Sequence, residues 1–537
     1  MYSPQQIQDQ QQKINRIFDI LTALAFLVVA IAFMSYIQFN PNNPYLSEFD
    51  SYYHVKMAEL IRDQGIPQTF PWLQFTILRD NYVDHQLLFH ILLIPFVSIL
   101  GPIMGAKIFE VLVVSLAFLL FYLILRDNKL KGAVWFALFA LFMMSSDFYY
   151  RMNFIRDMGL SLLFMMGGLY VMFKKFKYQY GVLGILCYLY VLAYGGFMFL
   201  PILAVTYFVA QLLLGEKWDW KIPLIAIGGM IAGLLINPYF PKNIEFLFAQ
   251  IFQTGLGAQQ YTGGEWRPYD TWFWVTINYI PIIIFFLGIT ITLLKRSVHN
   301  AKTITIFIAA LFFLGLVWKS KRFVEYSPFF LTLSGFLLLT PFVEEKIMEF
   351  KQQLMWKKIE NLLFAGALLV LIPLATTFSL AEISRARNDT QTLFSMSALT
   401  KVHDYLIQNS QQGDIVFTDD WDVFPRYFFA NSKDYYIVGL DPEFMNQYDG
   451  DPYPGEKGVL YHEFAQISSG NDSSHLERIK EHFRAKWVIV NADHQQFKQN
   501  LESQPSLFQE VFTATNDATK DTYPSAGGDA YYLFKVL

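Results

Sequence analysis

The chain has 537 residues, of which 54% are hydrophobic, 18% are aromatic and only 16% are charged. Soluble domains usually carry about 25% charged residues, so this composition excludes a disordered chain and argues against an ordinary soluble enzyme. The formal net charge is −4, and this nearly neutral balance gives no reason to expect a nucleic-acid partner. The single cysteine, Cys187, excludes an intramolecular disulfide.

Long apolar segments fill most of residues 1–380 and predict a polytopic α-helical membrane domain. A helix needs about 20 apolar residues to cross a bilayer, and about eleven segments are candidates. They are 17–39, 105–125, 132–147, 158–173, 179–194, 197–214, 221–238, 271–294, 303–318, 327–343 and 359–380. The first is too long for a signal-peptide core and lacks a cleavage pattern, so we interpret it as a retained signal anchor.

The apolar segment 87–100 is ambiguous because it is short and contains His90 and Pro95. If this segment does not cross the membrane, the basic connectors between the spans all lie on one side, and the positive-inside rule is satisfied. Those connectors are 13–16, 126–131, 174–177, 217–221, 295–302 and 346–358. We therefore predict that 87–100 is a helix that lies at, or dips into, the outer face of the cytoplasmic membrane, with the N-terminus cytoplasmic and the C-terminal domain extracytoplasmic.

This topology places three informative loops on the outer side, at 40–104, 146–157 and 239–270. The outer segment 319–326 carries Lys319, Lys321 and Arg322, which oppose the positive-inside trend. Basic residues on the outer side need a reason, and binding an anion is a good one.

Residues 381–537 alternate apolar strand patterns with amphipathic helical patterns and predict a small α/β domain. The predicted strands are 414–418, 435–440, 486–491 and 531–536, and helical spacing is found at 475–484. The simplest organisation is one membrane domain, 1–380, followed by one extracytoplasmic α/β domain, 381–537.

Asp50 opens the first candidate motif, Asp-Ser-Tyr-Tyr-His at 50–54, shortly after the first span and just before a helical pattern. A carboxylate in this position can cap the helix that follows. It can equally bind a hard divalent cation, which prefers carboxylate oxygens. The local sequence leaves both interpretations open.

Two further acidic residues are predicted on the same outer face. Asp157 stands at the mouth of a span, where the alternative role is a charge pair with Arg151 or Arg156. The loop 239–270 ends in Thr-Gly-Gly-Glu, and Glu265 follows two glycines that can form a hinge closing over a substrate. The alternative there is a simple turn with a solvated Glu265.

Together these features resemble the C-type (GT-C) membrane glycosyltransferase superfamily, and most of all the catalytic subunit of oligosaccharyltransferases. The motif at 50–54 is the strongest local match, and Asp84-His85 is similar to the end of that family's first loop. The resemblance covers nearly the whole chain and implies a GT-C fold. It also implies transfer of a sugar or oligosaccharide from a polyprenyl phosphate or diphosphate to an extracytoplasmic acceptor, with inversion.

The resemblance also implies roles for individual residues. Asp50 and Asp157 would be catalytic ligands of Mn²⁺ or Mg²⁺. At the second of these sites the family usually has two acidic residues separated by one residue, whereas position 159 of this chain is Gly. Glu265 would help hold the acceptor and complete the metal site. Arg322, with Lys321, would grip the donor phosphate, a task that suits a guanidinium fork.

Trp421 and Asp422 resemble part of the family's Trp-Trp-Asp-Tyr-Gly motif, which binds the acceptor. The chain departs from that motif at Asp420 and at Val423-Phe424. The alternative role for the pair is an N-terminal helix cap packed by the indole ring.

The expected partners are a lipid-linked sugar donor, a protein or glycan acceptor, and membrane lipid. A divalent cation and Arg322 would stabilise the leaving phosphate, while an acidic side chain orients or partly deprotonates the acceptor. One alternative is a transferase that moves a single sugar from a polyprenyl phosphate to protein, lipid or a surface polymer. A transporter or flippase is disfavoured because the candidate acids lie at outer loops and no internal repeat is evident.

Overall fold

The computed structural model describes residues 4–40, 44–249, 264–351, 359–390, 396–516 and 530–537. Side chains of 4–9, 249, 350–351 and 359–372 also lie outside the description, as do Thr262 and Gly263 of the predicted hinge. The helices up to residue 389 are α1 (Pro4–Gln38), α2 (Phe49–Gln64), α3 (Leu87–Leu100), α4 (Pro102–Asp127), α5 (Ala133–Phe142), α6 (Ser146–Arg151), α7 (Asp157–Phe173), α8 (Gln179–Ala193), α9 (Phe199–Leu213), α10 (Lys221–Leu235), α11 (Lys242–Ala249), α12 (Thr271–Ile277), α13 (Tyr279–Lys295), α14 (Ala301–Val317), α15 (Ser327–Lys351) and α16 (Ile359–Asp389).

Apolar helices dominate this first part of the chain. Within the described ranges, three helical segments are long and apolar enough to cross a membrane: Gln10–Gln38, Pro102–Asp127 and Ser327–Glu349. The pair α12 and α13 adds a fourth if it forms one span, although it is bent by 83°. Seven further apolar helices are shorter, namely α3, α5, α7, α8, α9, α10 and α14. The count of eleven spans stays a prediction.

Helices α8 and α10 approach each other at backbone distance, because glycines line their contact. A Cβ on Gly229 would collide with the carbonyl oxygen of Gly184, and a Cβ on Gly233 would lie 2.8 Å from that of Tyr188. Gly229 and Gly233 are four residues apart on α10, the spacing that lets membrane helices pack closely.

The segment 87–100 is a helix, as the sequence analysis predicted, and it packs between α2 and α4. It ends at Gly101, whose φ of 83° lies in the region that favours glycine. Pro102 then begins α4, where its missing N–H costs nothing. This sharp turn sets α3 against α4.

The C-terminal part folds around a mixed five-stranded sheet with the strand order β2-β1-β3-β5-β4. Its elements are α17 (Ser397–Asn409), β1 (Ile415–Thr418), α18 (Phe424–Ala430), β2 (Tyr435–Tyr436), α19 (Glu443–Asn446), α20 (Val459–Ser468), α21 (Arg478–Glu481), β3 (Trp487–Asn491), α22 (Gln495–Glu502), β4 (Phe508–Thr515) and β5 (Ala530–Val536). Strand β1 runs parallel to β2 and β3, whereas β5 is antiparallel to β3 and β4.

The four strands predicted from the sequence are present, although β2 is only two residues long. Strand β4 was missed, because it lies at the sheet edge with most of its side chains at least partly exposed and so has no clear apolar face. The helix predicted at 475–484 is reduced to α21. Leu476, Ile479 and Phe483 are buried as the helical spacing requires, but Arg484 adopts a φ of 52°, which ends regular structure.

Helix α16 runs continuously from residue 359 to residue 389 and therefore passes the predicted domain boundary at 380. Beyond it, helix α18 of the C-terminal part packs against α2. The ring centroids of Tyr52 and Phe429 are 5.3 Å apart, and those of Tyr53 and Phe428 are 6.4 Å apart. The sheet is thereby held against the first loop of the helical part.

Candidate active site

Helix α2 begins with two acidic residues that have different tasks. The backbone N–H of Ser51 donates to Glu48 Oε2 at 3.1 Å, so the N-cap of this helix is Glu48. Asp50 lies in the first turn and faces Arg156, whose Nη1 is 3.4 Å from Asp50 Oδ2. The capping role considered for Asp50 is therefore wrong, because Glu48 already holds the free N–H groups.

Arg156 is the cation around which these acids gather. It precedes α7, is 8% exposed, and reaches three carboxylates with Nη1. The distances are 3.7 Å to Glu48 Oε1, 3.4 Å to Asp50 Oδ2 and 3.4 Å to Glu265 Oε2. Residues from the first loop, the mouth of α7 and the loop 239–270 thus meet at one point.

Glu265 lies in a short 3₁₀ turn (Gly264–Trp266) and binds three arginines. Besides Arg156, it accepts from Arg151 Nη1 at 3.0 Å and from Arg322 Nε at 2.8 Å. Burial works against its charge, but the guanidinium groups, Arg322 first, outweigh burial and hold the pKa of Glu265 well below its ordinary value. The alternative of a solvated Glu265 is wrong, since this carboxylate is fully engaged.

Arg151 also binds an acidic residue, Glu325, that the sequence did not single out. Its Nε donates to Glu325 Oε1 at 2.7 Å, and Glu325 is 1% exposed. Glu325 belongs to the 3₁₀ segment Lys321–Glu325, which also carries Arg322. We call the seven residues Glu48, Asp50, Arg151, Arg156, Glu265, Arg322 and Glu325 the arginine–carboxylate cluster.

Three acids of this cluster, Glu48, Asp50 and Glu325, hold their protons more tightly than free carboxyl groups, because burial raises the pKa of each. Burial raises the pKa of Glu48 to about 7, and the neighbouring charge of Asp50 adds to the effect. Burial also raises the pKa of Asp50, although Arg156 opposes the shift. A carboxyl group whose pKa lies near neutral, as that of Glu48 does, can accept and return a proton during a reaction.

Lys321 and Arg322 are adjacent in sequence but lie in different surroundings. Arg322 contacts Glu265 and stacks over the Trp266 ring, with its guanidinium carbon 4.2 Å from the ring centroid. Lys321 Nζ instead lies 5.7 Å from the centroid of the Tyr269 ring. The structure therefore brings Arg322 into the cluster and leaves Lys321 beside it.

Asp157 is the first residue of α7, is 5% exposed, and has its own partner. Its Oδ2 accepts from Gln86 Nε2 at 2.9 Å. The charge pair considered from the sequence is not formed, because the ion pairs of Arg151 and Arg156 go to the other carboxylates. Asp157 thus stands at the edge of the cluster rather than inside it.

Glu110 on α4 approaches the first turn of α7 at Gly159. It is 1% exposed, and neither of its carboxylate oxygens has a hydrogen-bond partner among the described residues. Glu110 Oε1 occupies the space that a Cβ on Gly159 would need. Sequence reasoning missed Glu110, although an ionisable residue inside a predicted span is itself a signal of function.

The acidic side chains of this region suit a hard divalent cation, because Asp50, Asp157 and Glu110 offer carboxylate oxygens as ligands. The uncompensated carboxylate of Glu110 is the observation that fits such an ion best. Within the described ranges no three His, Cys, Asp or Glu side chains are grouped closely enough to hold a metal by themselves. Asp50 is engaged by Arg156 in this arrangement.

The loop 40–104 contains a buried chain of polar side chains that links α2 to α3. Asp84 Oδ2 accepts from His90 Nδ1 at 2.7 Å, and His90 Nε2 lies 2.8 Å from His54 Nδ1. All three residues are at most 4% exposed. Asp84 Oδ1 also accepts from the backbone N–H of Gln86, the residue that holds Asp157. The motif at 50–54 is thereby coupled to Asp157 through hydrogen bonds.

The C-terminal part adds Trp421 and Asp422 close to this cluster. Residue Val423 is the N-cap of α18 and no side chain caps this helix, so the capping role considered for the pair is wrong. Trp421 packs, half-buried, against the apolar core of the sheet. Burial raises the pKa of Asp422 to about 7, and the negative charges around it, which include that of Asp50, contribute.

Asp441, which follows β2, is a further acidic residue that the sequence did not reveal. Burial raises its pKa to about 6, and the charges of Arg322 and Glu265 act on it in opposite directions. Asp422 and Asp441 therefore belong to the face of the C-terminal part that is turned toward the cluster, since charges of the cluster act on both. No spacing in the sequence distinguishes Asp441 from an ordinary turn residue, since its position depends on how α18 packs on α2.

Helix α18 fixes the position of this face. The guanidinium carbon of Arg426 lies 4.0 Å from the centroid of the Phe49 ring, next to Asp50. Trp72 Nε1 donates to the carbonyl oxygen of Ser432 at 2.8 Å, and Leu73 forms a β-bridge with Tyr436. Trp421 and Asp422, which precede α18, are thus held beside the first loop by packing and by backbone pairing.

No protein-family model matches the chain, and no curated protein matches it in sequence. Solved structures do match. The apo oligosaccharyltransferase of Archaeoglobus fulgidus has a TM-score of 0.60 at 13% identity, over 87% of this chain and 69% of that one. The apo ArnT of Cupriavidus metallidurans has 0.53 at 12% identity, over 95% and 97%. The arabinofuranosyltransferase AftD from Mycobacteria has 0.57 at 11% identity, over 96% and 40%.

Some of these proteins have been solved with ligands. The archaeal enzyme has been determined with an inhibitory peptide and a dolichol-phosphate, and with zinc and sulfate. The Cupriavidus protein has been determined with undecaprenyl phosphate. At these identities the likeness shows the fold, and with the apolar helices it supports an integral membrane protein. The chain therefore has the fold of the GT-C membrane glycosyltransferases and resembles the oligosaccharyltransferases, as its motifs predicted.

Proposed function

We propose that this protein is a glycosyltransferase that moves a sugar or oligosaccharide from a polyprenyl-linked donor to an extracytoplasmic acceptor, in the manner of an oligosaccharyltransferase. The observation that carries the proposal is the arginine–carboxylate cluster. Within a GT-C fold, it brings Asp50, Glu265 and Arg322 together from three separate segments, with Asp422 of the C-terminal part facing them. A single ion pair could be structural, but this convergence at one end of the helical domain is what a reaction centre requires.

The arginines suit a donor whose leaving group is a phosphate. Phosphate oxygens bind guanidinium groups in the same bidentate manner as carboxylates do. Arg322 is the arginine best placed for this task, because it is 29% exposed at its side chain, whereas Arg151 and Arg156 are 10% exposed. An arriving phosphate would compete with Glu265 for Arg322 and free Oε1 of Glu265 to meet the acceptor, while Oε2 stays bound by Arg151 and Arg156.

The acidic residues at the start of α2 suit the binding of an acceptor. Asp50 and Glu48 hold raised pKa values, so each can orient an acceptor group or take up its proton as the new bond forms. Direct attack on the anomeric carbon needs no covalent enzyme intermediate, and we expect inversion. When bound, a divalent cation held by Asp50 and Asp157 adds positive charge against the leaving phosphate.

The test is transfer by the full-length protein in lipid nanodiscs, supplied with a lipid-linked sugar and acceptor peptides and followed by mass spectrometry. We expect transfer by the wild type and a loss of at least 100-fold in Asp50→Asn and Glu265→Gln. Glu245→Gln is the matched control, because Glu245 is an exposed acid of the same loop as Glu265. Wild-type rates in both site variants would refute the proposed site.

A second candidate is transfer of a single sugar from a polyprenyl phosphate. Its support is that this chain and ArnT cover each other almost completely, whereas the archaeal oligosaccharyltransferase has a longer chain. The departures at Asp420 and Val423-Phe424 also favour it. Peptides with Asn-x-Thr and Asn-x-Ala separate the two, since equal transfer to both would remove a sequon-reading role from Trp421 and Asp422.

A further inference from the structure

Glu110 is the most unusual acidic residue of the helical domain. It lies two turns into α4, it is 1% exposed, and both of its carboxylate oxygens are without hydrogen-bond partners among the described residues. Other buried acids are compensated: Glu325 has Arg151, and Glu382 has Arg385 and the N–H of Ser146. A buried carboxylate without a partner is costly, so its retention needs a reason.

The position of Glu110 indicates what it serves. Its Oε1 fills the space where a side chain on residue 159 would begin, and Val114 closes the same space at 3.0 Å. Only glycine at position 159 permits this approach. Glu110 also lies near enough to Asp157 for the two negative charges to repel each other. Two carboxylates are thus directed at the first turn of α7, and the described residues provide no cation for Glu110.

We propose that Glu110 and Asp157 together hold a divalent cation, with Glu110 supplying from α4 the carboxylate that residue 159 lacks. Magnesium commonly takes only one or two carboxylates from a protein and keeps several waters, so Glu110 and Asp157 can retain the ion while Asp50, its other proposed ligand, is paired with Arg156. Gln86 fixes the Asp157 carboxylate through Oδ2, and such supporting contacts orient metal ligands. The inference deepens the proposed function, on which it rests for the role of the metal in transfer.

The test is a Mn²⁺ titration of the full chain in nanodiscs, in which electron paramagnetic resonance reports the free ion. We expect Glu110→Gln to weaken Mn²⁺ binding on the order of tenfold or more. The matched control is Ser115→Ala, which changes another buried polar side chain of α4 without a hydrogen-bond partner among the described residues. Unchanged Mn²⁺ affinity in Glu110→Gln, or no Mn²⁺ binding by the wild type, would overturn the proposal.

Thermal unfolding separates a ligand from a structural acid. Without metal, we expect the melting temperature of Glu110→Gln to equal or exceed that of the wild type, because the variant removes an uncompensated charge. The increase that Mn²⁺ causes in the wild type should be lost. A lower melting temperature without metal, combined with wild-type Mn²⁺ affinity, would make Glu110 a structural residue and overturn the proposal.

A relocation experiment addresses the geometry. Gly159→Asp alone should destabilise the protein, since Glu110 and Val114 already occupy the space. In Glu110→Ala with Gly159→Asp, the carboxylate moves to α7 and Mn²⁺ affinity should return to within a few-fold of the wild type. These binding results are independent of transfer. Wild-type transfer with unaltered Mn²⁺ binding in Glu110→Gln refutes only this inference, whereas weakened binding in a protein without transferase activity refutes only the proposed function.

Discussion

Glu265→Gln tests the central contact of the arginine–carboxylate cluster. The substitution keeps the size of the side chain and removes the charge that binds Arg151, Arg156 and Arg322. Two of these arginines keep other carboxylates, because Arg151 retains Glu325 and Arg156 retains the acids of α2. Only Arg322 loses its acid. Removing one partner of a buried ion pair costs about 3–5 kcal/mol. Because Arg151 and Arg156 keep other acids, we expect the loss of local stability to lie at the lower end of this range, at about 3 kcal/mol.

The assay is hydrogen exchange of the peptide that begins at residue 264, measured on the protein in nanodiscs. A loss of about 3 kcal/mol corresponds to opening that is on the order of a hundredfold more frequent, because exchange follows the free energy of local opening. Since the pKa of Glu265 is well below its ordinary value, this carboxylate stays charged at pH 5 and above, and its stabilising contribution would be lost only on stronger acidification. The difference between variant and wild type should therefore be the same at pH 5 and pH 8.

Glu245→Gln is again the control, and its exchange should match the wild type. Protection of the 264–270 segment within threefold of the wild type in Glu265→Gln would refute the reasoning. That outcome would mean that packing, such as the stacking of Arg322 on Trp266, and not charge, holds the segment in place.

Three other predictions concern the surroundings of the site. The pKa of Glu48 is raised to about 7 from 4.5, so its ionisation works against folding. The free energy of unfolding should therefore fall as pH rises from about 5 to 8, by up to about 3 kcal/mol for this group. Glu48→Gln should flatten the dependence of the melting temperature on pH over that window. Asp84→Ala leaves the buried His90 without its acceptor and should lower the free energy of unfolding by about 1–3 kcal/mol in denaturant titrations, whereas Asp80→Ala at an exposed acid of the same loop should not. Gly229→Leu should separate α8 from α10 and reduce folded yield in size-exclusion chromatography, while Gly228→Leu, where the added Cβ meets open space, should be tolerated.

The sequence allowed the fold and part of the site to be predicted. Asp50, Glu265 and Arg322 were selected because few charged residues are predicted on the outer face and because their motifs resemble those of the oligosaccharyltransferases. The pairing could not be predicted, since it depends on which guanidinium reaches which carboxylate. Arg151 and Arg156 looked like local partners of Asp157, yet they bind acids from three other segments.

Other residues were missed for different physical reasons. Glu110 was hidden because a hydropathy average over 105–125 dilutes one acid among many apolar residues. Strand β4 was hidden because an edge strand with both faces partly exposed has no alternating pattern. Asp441 gained its position from the packing of α18 on α2, which no local pattern encodes.

The contact between α18 and the first loop has a consequence for biosynthesis. Trp72 and Ser432, which are joined by a hydrogen bond, are separated by 360 residues in the chain. At ordinary translation speeds of 5–20 residues per second, about 20 to 70 s pass between the synthesis of the two. During that time α2 is exposed without the aromatic partners that later cover Tyr52 and Tyr53. The proposed site therefore becomes complete only after α18 has been synthesised, and a chain released before that point would carry Asp50 and Glu265 without the surface that packs on α2.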